Sequence, residues 1–424
     1  MVSKLASSEN RRFAEQGLSE ADVRARLDDQ RRGDMAWNNP RNLKAAYYAG
    51  DDVFRLARDT YAEYHGDNLL YGKALYPSLV QMSSDVVGMS LELLGADADA
   101  CGTITSGGTE SIILAVRAAK NWARAERSAT SVPEILMSHT GHPAFNKAAE
   151  ILGLKVVRVR SNSEFRADVE ALRQHINENT IMIVGSAPTY PMGCVDPIAD
   201  LAQIANDHGL WLHVDACVGG FFLPFAREFD DVPAFDFTVK GVRSISADLH
   251  KYGYTSRGAS LLLLADKRLE QYQRFFFDGW PVGEFVTPTI NGSRPGGAVA
   301  SAWAVMNFLG RAGYRDRVKK ITEARRALVS EIGLIEGLRV LGRPYAGIVG
   351  IGGADSTDMR AVGQGMIDKG WKFAPLVDPV GINILLNYTH GAIVRELADD
   401  LKQSVVSAKS GRISGTFEEN TYGA

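Results

Sequence analysis

Residues 210–220 read LWLHVDACVGG and residues 237–254 read FTVKGVRSISADLHKYGY. In the first stretch an apolar run closes on a carboxylate, Asp215. In the second, a strand-like segment at 237–246 leads into Ser246-Ala247-Asp248-Leu249-His250-Lys251. Apolar runs that end in polar chemistry behave as buried strands whose carboxyl ends face a ligand cleft. The surrounding sequence repeats the pattern. Strands are predicted at EILMS (134–138), KVVRVR (155–160), TIMIVGS (180–186) and ASLLLLA (259–265), with helical periodicity at about 143–152, 167–176 and 197–208 between them. Short apolar runs alternating with helices specify a mostly parallel, doubly wound sheet.

Further out, a helix at about 109–127 follows TSGGTE, an amphipathic helix spans 78–95, and a charged helix covers 19–32. After SRPGG (293–297) the character changes. Helices near 298–310 and 315–333 precede the glycine-rich YAGIVGIGG (345–353), then LVDPVGINILLNYTH (376–390) and a last helix at about 391–408. The expected division is an N-terminal helical arm (1–60), a large domain (61–290) and a smaller C-terminal α/β domain (291–424). The tail GRISGTFEENTYGA is polar and is expected to be mobile.

Composition excludes several classes. The chain has 424 residues, 45% hydrophobic and 23% charged, which is ordinary for a soluble globular protein. A formal net charge of -3 offers no basic excess for a nucleic-acid backbone. No apolar run approaches the roughly 18 residues of a membrane span, and Met1 to Arg12 lack the apolar core of a signal peptide. Cys101, Cys194 and Cys217 cannot all pair and have no metal-ligand spacing, which points to a reducing cytoplasm.

Four places carry chemistry. Gly107, Gly108 and Thr109 open a helix, where backbone N–H groups and the helix dipole favour an anion; a glycine turn with a threonine cap is the alternative. Asp215 at a strand end suits a ligand cation, or else caps the next element. Lys251 at a strand-to-loop junction would have its pKa lowered by burial, leaving a free amine for a Schiff base. An exposed loop lysine is the alternative, made less apt by Asp215 at the end of the preceding strand. His142, in HTGHPAF, could stack on a planar ligand or be a plain loop histidine; with His139 it lacks a third metal ligand.

The order Gly-Gly-Thr, His, Asp, His-Lys resembles the fold-type I enzymes dependent on pyridoxal 5′-phosphate (PLP), in their group II decarboxylase branch. The blocks CGTITSGGTESI, HVDACVGGF, SISADLHKYGY and PTINGSRPGG are similar to the sphingosine-1-phosphate lyases within it. The resemblance runs from about residue 44 to 400. It implies that Lys251 holds PLP as an imine, that His142 stacks on the ring, and that Asp215 pairs with the pyridine nitrogen. It places Gly108, Thr109 and His250 at the cofactor phosphate and Cys217 nearby. Gly297 reaches the phosphate from the other subunit of a homodimer with shared sites. Tyr48, Asn68 and Arg257 fall at substrate-binding positions, with Tyr48 at the substrate phosphate. The implied reaction is retro-aldol cleavage of a phosphorylated sphingoid base by a soluble, cytoplasmic enzyme. An amino-acid decarboxylase and a non-catalytic PLP-fold protein are the alternatives. The chain departs from these relatives at Arg257, where lysine is usual, and at Phe285, where tyrosine is usual. Tyr71 stands near the position of an expected histidine.

Overall fold

A computed structural model of the chain describes residues 13–44, 46–127 and 132–415. The polar start at 1–12 and the end of the tail, 416–424, lie outside the described residues. By contacts the chain divides into Met1–Asn39 and Pro40–Ala424. In the first unit the helix Glu20–Gln30 starts at Ser19, whose hydroxyl accepts the Asp22 N–H at 3.2 Å. This helix buries none of its residues, and its charged side chains leave it without a continuous apolar face.

The second unit is built on a seven-stranded sheet: β1 (Cys101–Thr105), β2 (Glu134–Ser138), β3 (Lys155–Val159), β4 (Thr180–Ser186), β5 (Trp211–Asp215), β6 (Val242–Ala247) and β7 (Ser260–Leu264). The order across the sheet is β1-β7-β6-β5-β4-β2-β3, and only β7 runs against its neighbours. Both faces are covered. Leu261 and Leu263 of β7 join one apolar cluster, and Leu262 and Leu264 join the other. Period-two alternation with apolar residues on both sides accounts for the unbroken LLLL run. The helix Gly108–Glu126 covers the second face, burying Ile112, Leu114, Ala115, Ala118 and Trp122 among others.

Two strands of this sheet differ from the sequence reading, and the hairpin described below was not foreseen. The strand expected at 237–246 begins at Val242, because residues 236–241 turn: Val239 N–H bonds Asp236 O at 3.0 Å and Gly241 takes φ 109. β1 was not foreseen in the CGTIT run. The helices expected near 298–310 and 315–333 are both present within Gly296–Gly333, which is broken at Gly310 (φ 52, ψ -175).

An antiparallel hairpin, β8 (Phe275–Trp280) and β9 (Gly283–Thr287), projects with Phe276, Trp280 and Val282 exposed. The smaller C-terminal region carries β10 (Leu338–Val340), β11 (Ile348–Gly353), β12 (Ala374–Val377) and β13 (Val380–Leu385), ordered β10-β11-β13-β12. The helices Met359–Asp368 and Val394–Lys409 complete it. Among the described residues no helix is long and apolar enough to cross a membrane.

Candidate active site

The carboxyl ends of β5 and β6 meet the start of the Gly108–Glu126 helix around a cavity of about 430 Å³. Gly108, Thr109, His142, Asp215, Cys217, His250 and Lys251, which the sequence singles out, all line it. Gly108 must be glycine for steric reasons. A Cβ there would stand 2.8 Å from Cys217 Sγ and 2.9 Å from Asp248 Oδ1. The first N–H groups of this 19-residue helix have no carbonyl behind them within it, so this wall of the cavity is electropositive.

Asp215 ends β5 and is buried. Its Oδ1 accepts the Cys217 N–H at 3.1 Å and the Ser246 hydroxyl at 3.3 Å, while among the described residues no donor bonds to Oδ2. His142 sits on the loop after β2. Its Nδ1 accepts the Ala144 N–H at 3.1 Å, and burial lowers its pKa against the pull of Asp215. Arg158 holds that loop, donating to His139 O at 2.9 Å and Gly141 O at 2.8 Å. His250 is mostly buried, its pKa lowered chiefly by burial, and its Nδ1 has no hydrogen-bond partner among the described residues. Burial, then Asp215, raises the Cys217 thiol well above its ordinary range, so it stands as a neutral thiol.

One expectation is overturned. Burial does work to lower the Lys251 pKa, but Asp248 lies 2.9 Å from Nζ, and its charge, with smaller contributions from Tyr47, Cys217 and Asp215, raises the amine well above its usual value. Without a ligand Lys251 is therefore an ammonium in an ion pair. Asp248 is the functional group that sequence reasoning passed over. Its signal was present, as an acid three residues before the lysine.

Tyr48, Asn68, Arg257 and Gly297 do not line this cavity. The Tyr48 hydroxyl donates to the Asp51 carboxylate. Asn68 Oδ1 accepts the N–H groups of Leu70 and Arg294, each at 3.0 Å, so it ties its own turn to the SRPGG segment. The Arg257 guanidinium lies 5.9 Å from the Tyr47 ring. Gly297 presses on the helix Asp51–Glu63, where a Cβ would stand 2.5 Å from Tyr61 O. Phe285 packs edge-on against Phe275 and Trp280 in the exposed hairpin, and Tyr71 is exposed.

Residues 31–338 match the pyridoxal-dependent decarboxylase conserved domain. The chain is 39% identical over 415 residues to the sphingosine-1-phosphate lyase of Arabidopsis thaliana, covering 95% of this chain and 75% of that one. It is 36% identical over 394 residues to the sphingosine-1-phosphate lyase 1 of Rattus norvegicus, covering 92% and 69%. The chain belongs to the sphingosine-1-phosphate lyase family. A solved sphingosine-1-phosphate lyase of that family, from Burkholderia pseudomallei, superimposes with a TM-score of 0.90 at 33% identity, covering 95% of this chain and 94% of that one.

The cofactor of this lyase-family chain is pyridoxal 5′-phosphate. The cavity suits it in three respects. Asp215 Oδ2 is open to a cationic N–H, and the buried His250 Nδ1, beside the glycine turn, has no hydrogen-bond partner among the described residues. Lys251 supplies an amine in the same wall.

Proposed function

We propose that this chain is a PLP-dependent carbon–carbon lyase that cleaves a phosphorylated sphingoid base, sphingosine 1-phosphate in type, into a long-chain aldehyde and phosphoethanolamine. The observation that carries this reading is Asp215 and Lys251 at the ends of adjacent strands, facing one cavity with a helix N-terminus, in a chain of this family.

Bound PLP supplies an electron-poor ring that accepts the electron pair released when C2 and C3 of the substrate separate. The residues divide the remaining work. Asp215, through Oδ2, keeps a proton on the pyridine nitrogen. Gly108 and Thr109 offer N–H and hydroxyl donors to the cofactor phosphate, with His250 as a further donor. His142 supplies a flat apolar wall that orients the ring, and the neutral Cys217 thiol flanks the site. Lys251 is the covalent anchor. Once released it would be an amine able to take up the proton lost from the C3 hydroxyl and, as an ammonium, return it to C2.

The assignment extends beyond one chain. Tyr48 and Gly297 lie away from the cavity of their own chain, and the aromatic hairpin is exposed; both support a homodimer in which these residues complete the partner's site. Asn68 and Arg257 are assigned to substrate binding. Three free cysteines support a cytoplasmic location. The separation of a large domain (61–290) from a small one (291–424) is supported by two sheets confined to 101–264 and 338–385, whereas an arm of 1–60 would end inside the helix Asp51–Glu63.

Mass spectrometry of products from a phosphorylated sphingoid base tests the reaction. Aldehyde and phosphoethanolamine are expected; no cleavage, with carbon dioxide released from an amino acid instead, would refute it. Light scattering tests the dimer. Mixing inactive Lys251→Ala and Tyr48→Phe subunits is expected to restore activity, because half the sites of each mixed dimer are intact. Absence of recovery where subunit exchange is shown would remove Tyr48 from the partner's site.

A further inference from the structure

β5 and β6 lie in parallel register with His213 opposite Ser244 and Asp215 opposite Ser246. The period of two puts Trp211, His213 and Asp215 of WLHVD on one face, together with Ser244 and Ser246 of VRSIS. On a face otherwise packed with apolar side chains, these five form one connected chain of hydrogen bonds. His213, Ser244 and Ser246 are fully buried.

The direction of each hydrogen follows from donor chemistry. The indole Nε1–H of Trp211 can only donate, and it lies 2.7 Å from Ser244 Oγ. The Ser244 hydrogen then has His213 Nδ1, at 2.8 Å, as its acceptor. With Nδ1 accepting, a neutral imidazole carries its hydrogen on Nε2, which lies 3.2 Å from Ser246 Oγ. The Cys217 thiol also reaches Ser246 Oγ, at 3.3 Å. Ser246 is thus supplied from two sides, and its own hydrogen turns to Asp215 Oδ1 at 3.3 Å.

We infer that His213, Ser244 and Ser246 are positioning residues: by donating in sequence toward Asp215 Oδ1, they fix the carboxylate in one orientation, with Oδ2 directed at the cofactor nitrogen, and moderate its basicity. None of the three touches the substrate. The inference rests on the reading of Asp215 as the partner of the pyridine nitrogen. Burial, which holds His213 neutral with its pKa down at about 4, keeps the direction of donation constant at working pH. A protonated ring would donate from both nitrogens and reverse the Ser244 link.

Holoenzyme loaded with PLP labelled with nitrogen-15 in the ring gives a direct readout, because the nitrogen chemical shift reports the proton Asp215 holds. Ser246→Ala removes one oxygen with little change of volume. It is expected to move the signal toward the unprotonated nitrogen and shift the pH midpoint of the visible band. PLP affinity should fall on the order of tenfold, the scale of one hydrogen bond to a charged group. Ser246→Thr, which returns the hydroxyl, is expected to restore all three. A wild-type signal and affinity in folded Ser246→Ala would overturn the relay, and so would failure of Ser246→Thr to restore them. Asp215→Asn separates the two levels. A shifted signal there with none in Ser246→Ala overturns the relay alone, whereas no shift in Asp215→Asn overturns the reading of Asp215 and the relay with it.

Discussion

Lys251 and Asp248 stand 2.9 Å apart, and that pair has to be undone before the amine can capture an aldehyde. Asp248→Asn should leave burial as the dominant influence and lower the lysine pKa. Formation of the visible band on adding PLP to the apoprotein is then expected to reach half its maximal rate at least about one pH unit lower than in the wild type. An unchanged pH profile would show that the ion pair does not govern capture. Asp215→Ala acts on the chemistry instead, and turnover is expected to fall by the equivalent of roughly 3–5 kcal/mol in barrier. Near-normal turnover in steady-state assays would leave the carboxylate a structural role only. The cavity residues were legible because each sits at a junction that the alternating pattern marks, either a strand end or a helix start. Asp248 was passed over because its meaning depends on a loop that folds its carboxylate back onto the lysine. His213 was hidden in the apolar run LWLHVD, where only the facing serines of β6 give it a task.

The two helices within Gly296–Gly333 were legible because the apolar pattern breaks near Gly310. The break is real, but the backbone bridges it in a conformation that residues with a Cβ avoid. The space around that glycine is open, with nothing within 4 Å of an added Cβ. Gly310→Ala should therefore cost about 1–3 kcal/mol in denaturant unfolding through backbone strain alone. A loss below about 0.5 kcal/mol would mean that the kink relaxes freely. Five of the six strands that run parallel, β2 to β6, were readable from their apolar runs. The hairpin β8–β9 was not, because FFFDGW and GEFVT leave their aromatic residues exposed and lack a period tied to burial within this chain. β1 was obscured because CGTIT is short and half polar, and becomes a strand only through its pairing with β7.

Across the whole molecule, burial sets the response to acid. His213 and His390 have pKa values lowered from 6.5 to about 4, so both are neutral when folded and take up protons on unfolding as pH falls below about 6.5. Each contributes stability that is present above pH 6.5 and is lost toward pH 4, at roughly 1.4 kcal/mol per pH unit. Asp196 opposes them. Burial raises it from 3.8 to about 6, so the folded chain holds its proton first and loses stability as pH rises through that window. The expected outcome is a melting temperature that falls from pH 6.5 to 4, more gently below 6, with a shallower fall in His390→Gln. A flat profile, or an unaltered slope in that variant, would contradict it. The sheet topology also bears on how the chain is made. β1 finds its sheet partner only in β7, which begins at Ser260. At ribosomal rates of about 5–20 residues per second, that strand and the helix after it wait roughly 8–30 s for closure, a span in which the nascent chain offers an unpaired edge to chaperones. Lys251 is the last of the cavity's lining residues to be made, after Gly108, His142, Asp215 and His250, so vitamin B6 capture through it has to wait until this much of the sheet has left the ribosome.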